Sequence, residues 1–74
     1  MRTIQYLTKQ IQKTEKSIIK TEDEIIRIEE ILQGECDQAF YNKLLNYNHD
    51  KLITRKIKLV DLIEELEELQ ENNK

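Results

Sequence analysis

Two apolar heptad stripes, set on either side of the only glycine, constrain this chain more than anything else in it. Ile4, Ile11, Ile18, Ile25 and Leu32 recur every seven residues, and Leu7, Thr14, Thr21 and Ile28 fill the positions between. Past Gly34, Leu45, Leu52, Leu59 and Leu66 recur in the same way, with Tyr41, Asn48, Arg55, Leu62 and Leu69 between them. Side chains three and four residues apart share one face of an α-helix, so each half predicts a helix with an apolar seam. Two such seams bury each other as a coiled coil.

The break between the stripes is short. Helix one is expected over about residues 3–33, the turn over 34–37 and helix two over about 38–70, with a frayed tail through Asn72, Asn73 and Lys74. Thr3 and Asp37 are side chains that accept backbone N–H bonds at helix starts, and Gly34 suits the left-handed position just past a helix end. So short a turn leaves the second helix nowhere to run but back along the first. The expected fold is all-α: one antiparallel helical hairpin, a two-helix coiled coil spanning residues 1–74.

The seams also agree on register. In an antiparallel pair, facing residues have numbers that add to a constant. A constant of 73 pairs Leu32 with Tyr41, Ile28 with Leu45, Ile25 with Asn48, Thr21 with Leu52 and Ile18 with Arg55. It continues through Thr14 and Leu59, Ile11 and Leu62, Leu7 and Leu66, and Ile4 and Leu69. Every seam residue finds a partner. Charge blocks repeat the message: residues 1–20 and 39–58 each carry +4, residues 21–38 carry −6 and residues 59–74 carry −5. Folding at the turn lays each positive block beside a negative one and predicts the pairs Glu15–Lys56 and Glu24–Lys51.

A hairpin complete in itself would be polar outside its seam, and this one is not. Label the seam positions a and d. Ile19, Ile26, Ile53, Val60 and Ile63 then occupy b and e, which fall on the same flat side of an antiparallel pair, and Ile57 lies beside them toward the back of helix two. On the opposite side Lys13, Lys20 and Arg27 face Thr54, Asp61 and Glu68, with Lys51, Lys58, Glu24 and Ser17 inside them, as a solvated face. An exposed row of β-branched aliphatics marks an interface. Self-association of two hairpins into a four-helix bundle, a homodimer or higher oligomer, is the simplest resolution, and docking onto a foreign protein is the other.

Several residues invite a sharper reading. Asn48 and Arg55 sit in the seam, where a polar residue sets register and oligomer state, and the Arg55 stem is long enough to reach Glu15 or Glu22. His49 lies level with Glu22, as a pH-sensitive pair would. Phe40, Tyr41 and Tyr47 cluster after the turn, where they cap the bundle end or present a partner contact. The acidic run Glu64-Glu65-Leu66-Glu67-Glu68 is expected to be a solvated helix end.

Chemistry is otherwise thin. No Gly-rich phosphate loop, nucleophile elbow, Cys/His metal pattern or paired catalytic carboxylates stand in the sequence, so neither an enzyme nor a bound cofactor or metal is expected. Cys36 is alone, which rules out an intrachain disulfide. A net charge of −3 does not suit a general nucleic-acid binder, and no apolar run reaches membrane-spanning length or forms a signal-peptide core, so the expected location is the cytoplasm. Abundant Ile, Lys, Glu and Asn point to an AT-rich genome, that of a low-GC bacterium, its phage or a mobile element. The expected function is a non-enzymatic protein–protein interaction module, a small regulatory, adaptor or inhibitor protein. The competing expectation is a small-ligand or nucleic-acid-linked regulator working through Lys51, Arg55, Lys56 and Lys58 in the middle of helix two.

Overall fold

A computed structural model describes residues 3–72. It holds two helices, α1 (Ile4–Leu32) and α2 (Gln38–Asn72), packed lengthwise into a rod of 58 × 15 × 14 Å. The fold is the all-α helical hairpin that the stripes predict. Helix two runs two residues past the expected end and takes in Asn72, placed in the frayed tail by sequence; Asn73 and Lys74 lie outside the described residues.

Both start signals act as expected. The Thr3 Oγ1 accepts the Tyr6 N–H at 3.0 Å, and the Asp37 Oδ1 accepts the Phe40 N–H at 3.2 Å. Each satisfies a donor that the first helical turn leaves without a partner. The stop differs. Gly34 does not adopt a positive φ. Instead Gln33 keeps helical torsions, its N–H donates to the Glu30 carbonyl at 3.2 Å, and the Gly34 N–H donates to the Ile31 carbonyl at 3.1 Å. A tightened last turn satisfies the terminal carbonyls without the left-handed residue.

The seam is buried as the heptads require, but unequally. Leu7, Thr14, Ile18, Thr21, Ile25 and Ile28 of α1 are buried, whereas α2 buries only Asn48 and Leu62 and leaves Tyr41, Leu45, Leu52, Leu59, Leu66 and Leu69 half-covered. Ile4, at the open end of the rod, is exposed. One narrow helix cannot cover the broader apolar arc of α2. The polar seam residues look after themselves: Thr14 and Thr21 donate to the Gln10 and Ser17 carbonyls at 2.7 and 2.8 Å, and the Asn48 amide donates to the Leu44 carbonyl at 2.8 Å. These bonds to a carbonyl one turn back remove the cost of burying the groups without tying one helix to the other.

The predicted cross-helix ion pairs Glu15–Lys56 and Glu24–Lys51 do not form. Glu24 meets Arg27 of its own helix at 3.8 Å, and the Lys51 ammonium sits 5.1 Å from the centre of the Tyr47 ring. Local partners one turn away cost less side-chain entropy than partners across the seam, and exposed pairs gain only about 0–1 kcal/mol to offset it.

Candidate functional site

Two surfaces stand out, one on each flat side of the hairpin. The first is the aliphatic side. Ile19, Ile26, Ile53, Ile57, Val60 and Ile63 are all exposed, from 38% at Ile63 to 58% at Ile53. None is drawn into the seam, so no bend of α2 folds the stripe inward. Their heptad positions put them on and beside one side. Glu15, Glu22, His49 and Lys56 occupy the e positions between the two rows and are exposed as well, so the aliphatics flank a charged strip rather than forming an unbroken sheet. His49 makes no ion pair with Glu22, since both point into water and gain little by meeting.

The second surface is the charged side, which is not merely a solvated face. A groove of about 550 Å³ runs there between the helices, lined by Ser17, Lys20, Thr21, Glu24, Leu44, Tyr47, Asn48, Lys51 and Arg55. A smaller groove of about 320 Å³ continues it past Gln10, Lys13, Thr14 and Lys58, and the two share Ser17 and Arg55. The reason lies in side-chain size. Ser17, Thr21 and Asn48, which line the larger groove from both helices, are short, and the helices leave a channel that leucines would have filled.

Arg55 lies at the join of the two grooves. Its Nη1 donates to the Thr21 hydroxyl and to the Ser17 carbonyl, the latter at 3.4 Å. It does not reach Glu15 or Glu22. A d position borders the side that carries Ser17, and an α2 side chain leans toward its own N-terminus, which in this antiparallel pair means toward Thr21. Both contacts agree with the predicted layer of Arg55 against Ile18. Asn48, the other polar seam residue of α2, bonds only within its own helix. Its replacement by leucine is therefore expected to stabilise the hairpin by about 1 kcal/mol, a rise in melting temperature of about 4–8 °C. Thermal unfolding followed by circular dichroism checks this, and a fall would show that the amide bonds across the seam in solution.

At the turn end, Phe40 packs edge-on against Tyr41, ring centres 5.1 Å apart and planes at 84°. Phe40 and Tyr47 stay exposed, Tyr41 is half-buried, and Ile31 is exposed close by. The aromatics therefore fall into two roles. Tyr41 closes the seam, while Tyr47 belongs to the groove. Cys36 is a partly exposed free thiol in the turn.

Among the described residues, no group of three His, Cys, Asp or Glu side chains is placed to hold a metal ion, and no helix is long and apolar enough to cross a membrane. No protein-family model matches the chain, and no curated protein or solved structure is significantly similar to it. Its surfaces are the ground for a functional reading.

Proposed function

We propose that this chain is a non-enzymatic protein-interaction module, a small regulatory, adaptor or inhibitor protein that acts on another protein as a homodimer or higher oligomer. Two hairpins close their aliphatic sides on each other to make a four-helix bundle. The observation that carries this reading is the exposure of all six residues Ile19, Ile26, Ile53, Ile57, Val60 and Ile63 on one part of the surface. Six exposed aliphatics gathered on one side of so small a protein are costly to leave in water. The thin core points the same way: among the described residues only Leu7, Ile18, Ile25, Ile28 and Leu62 are buried aliphatics, and a single seam of this size is marginal on its own.

Sedimentation of the purified protein at rising salt tests the nature of the contact. An aliphatic interface predicts an association constant that holds, within about twofold, as salt rises from about 0.1 to 1 M. Assembly that collapses over that range would mean that charges, not aliphatics, hold the copies together.

One observation favours the second reading, a small-ligand or nucleic-acid-linked regulator. Lys51, Arg55 and Lys58 line the grooves of the charged side, although Lys56 lies on the other side. Such a ligand would be released as salt rises.

A further inference from the structure

We infer that the groove on the charged side is a docking site for an acidic amphipathic helix of another protein. This goes beyond self-association, which uses the opposite side, and does not depend on it.

Charge comes first. The two connected grooves are lined by five cations, Lys13, Lys20, Lys51, Arg55 and Lys58, and by one carboxylate, Glu24, which Arg27 engages. In a chain of net charge −3, this gathers positive charge into one concave strip, where the low-dielectric walls focus its field. Arg55 is the fixed point of that strip. Thr21 and Ser17 hold it through Nη1 alone, so Nε and Nη2 remain to meet a carboxylate in the paired geometry that guanidinium favours.

Shape selects a helix. From Leu44 to Lys58 the channel runs along 15 residues of α2, about 21 Å at helical rise. On α2 the cations repeat at i, i+4 and i+7, so carboxylates at the same spacing on a facing helix stand opposite them. Ser17, Thr21 and Asn48 keep the floor low, which lets a third helix approach closely. Tyr47 and Leu44 at the turn-proximal end call for one apolar side chain there, the usual form of helix-in-groove recognition. A single-stranded nucleic acid fits less well. Tyr47 is the only aromatic lining the strip, and its ring lies against the Lys51 ammonium rather than offering a row of stacking platforms.

The test uses the full chain and a fluorescein-labelled helical peptide of about 18 residues, with Glu at i, i+4, i+7 and i+11 and a leucine near one end. Binding is read by fluorescence anisotropy at low salt. The double variant Lys20→Glu/Lys58→Glu, which reverses two exposed rim charges, is expected to weaken binding tenfold or more. The variant Lys16→Glu/Lys43→Glu makes the same change in net charge on the outer edges of the hairpin and is expected to leave binding within about threefold. Replacing the peptide's Glu by Gln should abolish binding. Absence of binding by the Glu peptide, or equal weakening by both variants, overturns the site. Tighter binding of a single-stranded DNA oligonucleotide of the same charge overturns the acidic helix as occupant. Displacement of the probe by a peptide copying residues 59–72, at concentrations below the probe's own dissociation constant, would assign the groove to a second copy of this chain instead. Anisotropy reads the groove whether the protein is a monomer or a dimer, so this result and the proposed self-association stand or fall separately.

Discussion

Ile53→Glu is expected to return the proposed assembly to single 9.0 kDa chains while the helices persist. Ile53 is among the most exposed of the aliphatic row, and its side chain takes no part in the hairpin's own seam. The substitution therefore leaves Leu7, Ile18, Ile25, Ile28 and Leu62 packed as before. In a symmetric dimer it acts twice, because the same patch is used on both copies. Losing a buried aliphatic costs about 1.5–3 kcal/mol, so two copies lose about 3–6 kcal/mol, or a weakening of at least ~10²-fold. Burying the new carboxylates adds to that. Mass by sedimentation, with far-ultraviolet circular dichroism at the same concentrations, reads both halves of the outcome. An unchanged mass would remove Ile53 from the interface and the aliphatic side with it.

Ile28→Ala is expected to unfold the hairpin when the protein is dilute. Ile28 is 1% exposed and fills the seam one turn before the end of α1. Truncating a buried isoleucine to alanine costs about 2–5 kcal/mol, and a core of this size supplies rarely more than about 3–5 kcal/mol in total. Most of the helical signal at 222 nm should be lost at room temperature. Ile26→Ala is the companion measurement. Ile26 is exposed, and in dilute monomer its truncation should change stability by no more than about 0.5 kcal/mol. A mild effect at Ile28 would mean that oligomer contacts, rather than the seam, supply the stability.

The contrast between these two isoleucines, two positions apart, shows what was legible in the sequence. A sharp heptad period specifies which side chains face the partner helix, so the seam, the turn and the exposed aliphatic row could all be read from spacing. Thr3 and Asp37 could be read because capping is a local interaction between neighbours in the chain. Gly34 was misread because several backbone routes out of a helix satisfy the same carbonyls, and residue type does not select among them. Glu15, Glu24, Lys51 and Lys56 were misread because long charged side chains choose among near-equal partners, and only coordinates show which choice is made.

The groove illustrates a different limit. It arises where Ser17, Thr21 and Asn48, short side chains from both helices, line one channel. The signal was present in the register, since a constant of 73 places these residues along little more than two turns of one stretch. Reading the charged side as a row of solvated residues missed it, because hydropathy counts charge but not the depth between charges. Arg55 required both pieces. Its seam position was plain, but its direction follows from side-chain lean in an antiparallel pair.

A second copy of the chain is proposed to cover the aliphatic side. The most direct measurement is absolute mass in solution, by light scattering after gel filtration of the unmodified chain across a dilution series. The predicted result is a mass of twice 9.0 kDa, or a higher multiple, at high concentration, falling toward 9.0 kDa as the protein is diluted. A mass of 9.0 kDa at every concentration, with the helical signal intact, would contradict it and leave Ile19, Ile26, Ile53, Ile57, Val60 and Ile63 facing water.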